Sequence, residues 1–180
     1  MSSCPFSFFL FPCLRIIPFV ILIVMGVTGC GKTTVGTRLA EALGWPFEDA
    51  DAFHPPGNIA RMSRGIALTD ADRAPWLAAI RARVDEALAR GESVVIGCSA
   101  LKAAYRRVLG EGLPGVRFIY LRGDEPLLAE RLRNRLGHFM DPTLLGSQLA
   151  TLEEPESALR IEIALPLAAQ VRTIRERLDT

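Results

Sequence analysis

Residues 26–34 read GVTGCGKTT, and no other part of the sequence limits the possible folds as strongly. The pattern is GxxxxGK[ST]. It follows an apolar run at 20–25 and leads into 32–43, where Val35, Leu39, Ala42 and Leu43 recur at helical spacing before Gly44. Strand, glycine turn and helix in that order make a phosphate loop. The glycines let the backbone curl until several N–H groups face one cavity. The helix N-terminus adds partial positive charge at the same place. The expected triphosphate contacts are Gly26, Val27, Thr28, Gly29, Cys30, Gly31, Lys32, Thr33 and Thr34. Lys32 reaches the β- and γ-phosphates, and the Thr33 hydroxyl ligates Mg2+. The cofactors implied are ATP and Mg2+.

The rest of the chain alternates short apolar runs with longer amphipathic stretches and contains no internal repeat. Strands are expected at 20–25, 46–51, 93–98, 116–121 and 160–165, and helices at 32–43, 74–90, 101–109, 125–136, 144–153 and 167–178. Such alternation predicts an α/β three-layer sandwich: a mostly parallel sheet of about five strands with helices on both faces. Ligands of these sheets bind beyond the carboxyl ends of the strands. The residues just after each strand are therefore the ones to read for chemistry.

Charge and cysteine usage remove other classes. Twenty-one Lys and Arg against twenty Asp and Glu leave a net charge of +1, far from the basic balance of a non-specific nucleic-acid binder. Cys4, Cys13, Cys30 and Cys98 are too sparse for a disulfide framework or a zinc site. The first 31 residues carry a single charge, Arg15, within a run rich in Phe, Leu and Ile. A signal peptide or membrane anchor is one reading. Pro5, Pro12 and Pro18 interrupt any helix there, and no cleavage site follows. The expected division is a non-native or poorly ordered extension at 1–18 and one cytoplasmic domain at 19–180.

Acidic residues follow the second expected strand, as EDAD at 48–51. Side chains two apart on a strand share a face, which turns Asp49 and Asp51 into the same cleft. One carboxylate then holds Mg2+ through water, Asp49. The other, Asp51, accepts the proton of a substrate hydroxyl during attack on the γ-phosphoryl group. A solvated acidic turn is the plainer alternative.

Further blocks follow in order: HPPGN at 54–58, DRAPWL at 72–77, CSALKAAYR at 98–106, GHFM at 137–140 and SQLATLEEP at 147–155. Together they resemble the gluconokinase family, of the thermoresistant, shikimate-kinase-like type, from about residue 24 to 155. The resemblance implies phosphorylation of D-gluconate at its 6-hydroxyl with ATP and Mg2+, and a homodimer. It points to Asp51, His54, Asn58, Arg61, Arg73, Ser99, Lys102, His138 and Gln148 as the substrate-binding set. The residue types agree. A polyol acid needs a cation for its carboxylate and polar side chains for its hydroxyls, and arginine clasps a carboxylate with two parallel hydrogen bonds. His54 beside two prolines also reads as a turn residue, Arg73 as half of a surface ion pair, and Trp76 and Cys98 as core. A kinase for another hydroxy acid, such as shikimate, is the runner-up.

A mobile helical lid is expected around 122–150. Arg131 and Arg135 are i,i+4 on one helix face and would reach the transferring phosphoryl group. A solvated charged helix is the alternative. The sequence departs from the family pattern at Arg61, where a lysine is usual, which keeps the charge and changes its geometry.

Overall fold

The computed structural model describes residues 19–64, 66–134 and 142–178. Five strands form one sheet: β1 (Ile21–Met25), β2 (Phe47–Asp49), β3 (Val94–Gly97), β4 (Val116–Arg122) and β5 (Leu159–Glu162). Their order across the sheet is β2-β3-β1-β4-β5, and every neighbouring pair runs parallel. The expected α/β sandwich is thus observed, with a wholly parallel sheet.

The central strand explains its own sequence. All five residues of β1 are buried, because both faces of the sheet are covered. Ile21, Ile23 and Met25 face one core, and Leu22 and Val24 face the other. The first core is completed by α3 (Asp70–Arg90) through Trp76, Leu77, Ile80 and Val84, and by α4 (Ala103–Leu109) through Tyr105 and Leu109. The second takes Val35 and Leu39 of α1 (Lys32–Leu43), Leu128 of α5 (Glu125–Arg133), and Val171 and Ile174 of α7 (Leu167–Leu178). Two further helices complete the fold, α2 (Pro56–Met62) and α6 (Pro142–Thr151). No helix among the described residues is long and apolar enough to cross a membrane. The extension expected at 1–18 lies outside the described residues.

Several boundaries differ from the sequence reading. β2 stops at Asp49 instead of 51, because the Asp49 carboxylate accepts the Asp51 N–H at 3.1 Å and caps a 3-10 turn over Ala50–Phe53. The shared-face argument for Asp49 and Asp51 therefore does not hold: Asp51 lies on the turn. α3 begins at Asp70, a turn earlier than Pro75 indicates. Thr69 and Asp72 form a capping box there, with Thr69 Oγ1 accepting from the Asp72 N–H at 3.2 Å and the Asp72 carboxylate accepting from the Thr69 N–H at 2.8 Å. The short helix α2 was not anticipated; the prolines and glycine of PPGN conceal it, although Pro56 stands at its first position, where proline is tolerated.

One packing detail sets the site. The Phe47 ring lies over the two positions that lack a side chain, Gly36 on α1 and Gly97 at the end of β3. A Cβ at Gly97 would stand 3.2 Å from the ring, and one at Gly36 would collide with it. The first turn of α1 can therefore lie close against β2, which carries Asp49 two residues beyond Phe47. Gly36→Ala is expected to lower stability by about 1–3 kcal/mol through this overpacking, with Phe47→Leu in the same chain restoring part of the loss. Urea denaturation measures both, and an unchanged midpoint in Gly36→Ala alone would contradict the close contact.

Candidate active site

The turn between β1 and α1 is a phosphate cradle by its backbone. Gly26 has φ +144°, and a Cβ there would meet the Leu121 carbonyl oxygen and Cys30 Sγ at 2.8 Å. Gly31 caps α1 with φ +98°, a left-handed conformation that favours glycine. Lys32 Nζ donates to the carbonyl oxygens of Gly26 at 3.0 Å and Val27 at 3.2 Å, so its charge lies across the loop. The Cys30 side chain is buried, and burial pushes its thiol up, against the opposing charges of Lys32 and Arg131. A buried thiol held in its protonated form is a poor nucleophile.

Beside the cradle lies a cleft of about 380 Å³, lined by Gly31, Thr34, Arg131, Leu165 and Pro166 among others. Arg131 is fixed there by donating Nη2 to the Ile163 carbonyl at 2.7 Å. Its Nη1 would stand 3.9 Å from a Cβ on Gly31, which puts the guanidinium beside the loop. Arg135 and His138 lie outside the described residues. Gln148, on α6, faces the phosphate loop: its Oε1 accepts the Thr28 N–H at 2.7 Å.

Asp49 connects the loop to the acidic turn. One carboxylate oxygen accepts from the Thr33 hydroxyl at 3.1 Å, and the other from the Asp51 N–H at the same distance. The expected Mg2+ pair, Thr33 and Asp49, is thereby in contact. Among the described residues no group of three His, Cys, Asp or Glu forms a protein cage for a metal. A hydroxyl and a carboxylate beside a phosphate cradle instead fit Mg2+, which keeps several waters and takes the rest of its ligands from phosphate oxygens. The Asp51 side chain is exposed.

The remaining candidate residues come from the segment after β2, from α2, from the first turn of α3 and from the loop after β3. His54 stacks on Trp76 with ring centroids 4.5 Å apart and planes 8° from parallel. Trp76 is core, as expected, with its indole N–H donating to the Ala50 carbonyl at 2.7 Å. His54 Nδ1 is buried and makes no hydrogen bond. Burial pulls the imidazole pKa down from 6.5, with Asp51 opposing and Arg73 reinforcing the shift. Asn58 donates to the Asp72 carbonyl at 2.7 Å, and Arg61 pairs with the Asp72 carboxylate at 3.0 Å. Lys102 Nζ donates to both oxygens of Asp70, at 2.8 and 2.7 Å, and the Tyr105 hydroxyl donates to the same carboxylate. These bonds hold the Asp70 carboxyl below its ordinary range and the Lys102 ammonium above its own.

Ser99 and Lys102 sit on a loop that the sequence alone did not explain. Ala100 has φ +44°, strained for a residue with a Cβ. The buried Arg106 guanidinium holds that loop through the carbonyls of Ala100 at 3.4 Å and Leu101 at 3.2 Å, and reaches the Glu153 carbonyl at 2.8 Å. The Glu153 carboxylate in turn accepts the Ala103 N–H at 2.7 Å. Arg106 and Glu153 stand in the CSALKAAYR and SQLATLEEP blocks, so their signal was in the sequence without a role attached. Tyr105 stands in the first of those blocks too, and Asp70 lies two residues before DRAPWL.

The comparisons with known proteins follow this geometry. A family model described as an AAA domain matches residues 21–155. A gluconokinase of Gluconobacter oxydans is 53% identical over 135 residues, which cover 74% of this chain and 75% of that protein. The crystal structure of a gluconokinase from Sinorhizobium meliloti superposes with a TM-score of 0.80 at 50% identity, covering 91% of this chain and 93% of that one. A shikimate kinase of Aquifex aeolicus superposes with a TM-score of 0.59 at 14% identity, covering 89% of this chain and 96% of that one, a likeness of fold alone.

The environment of His54 makes a direct expectation. Its folded-state pKa lies below 6.5, so the unfolded chain takes the proton first as pH falls. The stability that the neutral imidazole contributes is full above about 6.5 and is lost on acidification below it. An NMR titration of the imidazole, assigned with His54→Gln, should give a midpoint below 6.5. A midpoint at or above that value would contradict the buried, neutral ring.

Proposed function

The chain belongs to the gluconokinase family, and on that premise we infer that it transfers the γ-phosphoryl group of ATP to the 6-hydroxyl of D-gluconate. The products are 6-phospho-D-gluconate and ADP. The observation that carries this reading is the Asp49 carboxylate, which bonds the Thr33 hydroxyl of the phosphate loop and the backbone of Asp51 together. It brings the triphosphate end and the acceptor end of the reaction to one side chain.

Each step has a residue. The loop amides left open by Gln148, which holds the Thr28 N–H, and the Lys32 ammonium receive the β- and γ-phosphates, with Lys32 exchanging its loop carbonyls for phosphate oxygens. Thr33 and Asp49 would hold Mg2+, which when bound neutralises charge on the phosphates. The cleft beside Arg131 and Pro166 adjoins the loop and is the volume open to the nucleoside. Asp51 accepts the proton of the 6-hydroxyl as the new oxygen–phosphorus bond forms and the bond to the ADP oxygen breaks. Arg131 supplies positive charge for the equatorial oxygens of the transferring group. His54, Asn58, Arg61, Arg73, Ser99 and Lys102 form the acid-binding wall, and Gln148 seats α6 on the loop.

A coupled assay of ADP release with Mg2+ and ATP tests the reading. Gluconate should be turned over in preference to shikimate. Asp51→Asn should lower kcat by at least ~10², the low end for loss of a general base, and leave the KM for ATP nearly unchanged. Turnover of shikimate and not gluconate would overturn the substrate, and wild-type kcat in Asp51→Asn would overturn the base.

A further inference from the structure

We propose that Arg73 is the side chain that receives the carboxylate of the substrate, and that Arg61 and Lys102 are held away from that task by internal carboxylates. The proposal rests on the gluconate reading above and names the cation that this reading leaves open. Three cations line the acid-binding wall, and two are already neutralised. Arg61 pairs with Asp72 at 3.0 Å, and Asp72 is itself fixed by the capping box with Thr69. Lys102 is held by both oxygens of Asp70 and lies 5.5 Å over the Tyr105 ring. Recruiting either one to a ligand would break an ion pair already made.

Arg73 differs. Among the described residues it forms no ion pair, and its one side-chain bond is a long one, 3.5 Å from Nη1 to the neutral Tyr105 hydroxyl. Its charge acts on Asp70 and Asp72, but each of those carboxylates is bonded elsewhere. The guanidinium is half-buried, so its charge is not simply given to water. Its backbone is fixed in the first turn of α3, where its N–H donates to the Thr69 carbonyl at 3.1 Å. A planar, half-buried fork without a counter-ion among the described residues is suited to a bidentate carboxylate.

The placement also suits the substrate. His54 feels the charges of both Asp51 and Arg73. Gluconate carries its carboxylate at one end and its primary hydroxyl at the other. With the acid on Arg73, the primary hydroxyl at the far end is the group left for Asp51. A neutral polyol of the same length leaves the Arg73 charge unmatched, and such sites discriminate strongly against the analogue that lacks the bonded group.

Steady-state kinetics and calorimetry on the full chain test this. Arg73→Gln should raise the KM for gluconate about 10–100-fold, the range of a charged hydrogen-bond pair, while the KM for ATP stays within about twofold. Its preference for gluconate over D-glucitol should fall by the same factor. Arg73→Lys should fall between wild type and Arg73→Gln, and carries the test alone if the glutamine variant does not fold. Arg61→Gln and Lys102→Gln should raise the KM for gluconate less than Arg73→Gln does. An unchanged KM for gluconate in a folded Arg73 variant, or a larger rise in either of the other two, would overturn the proposal. A wild type that binds gluconate by calorimetry without phosphorylating it would overturn the function and not the receptor, which the loss of that binding in Arg73→Gln still reads.

Discussion

The contact between Asp49 and Thr33 is the joint on which the rest of the molecule turns. A carboxylate at a strand end and a hydroxyl in the first turn of a helix meet at 3.1 Å, which requires helix and strand to pack in close contact there. The sequence supplies that closeness by leaving Gly36 and Gly97 without side chains where the Phe47 ring must fit. The same carboxylate then caps the turn that carries Asp51. Packing, capping and the metal contact proposed above thus meet at one residue, and a small displacement of β2 would disturb all three.

The acid-binding wall depends on a different principle, which is charge already balanced before any ligand arrives. Asp70 and Asp72 neutralise Lys102 and Arg61 and fix them by hydrogen bonds. The buried Arg106 and the exposed Glu153 brace the strained loop that carries Ser99 and Lys102. Exposed ion pairs contribute little to stability. Their value here is geometric, since they determine which cation remains for the ligand.

Much of this was legible in the sequence, for physical reasons that can be named. A central strand buried on both faces has to be continuously apolar, and ILIVM says so. The phosphate loop is read from glycine positions because few backbone paths permit them. Family blocks identified the chemistry of the cleft. What the sequence concealed was the work of side chains on backbone. The capping carboxylate of Asp49 ended β2 early and moved Asp51 onto a turn. The capping box of Thr69 and Asp72 started α3 a turn before its proline, and Gln148 bonds the Thr28 amide of the phosphate loop. Each of these is one hydrogen bond competing with a local propensity, and a periodic pattern does not register it.

The most direct test of the account is the Mg2+ dependence of ATP affinity in wild type and in Asp49→Asn, measured by calorimetry with and without the metal. If Asp49 and Thr33 form the metal side of the cradle, Mg2+ tightens ATP binding in wild type and loses that effect in Asp49→Asn, while metal-free affinity is the same in both. An equal Mg2+ effect in the two proteins would contradict the account at its centre.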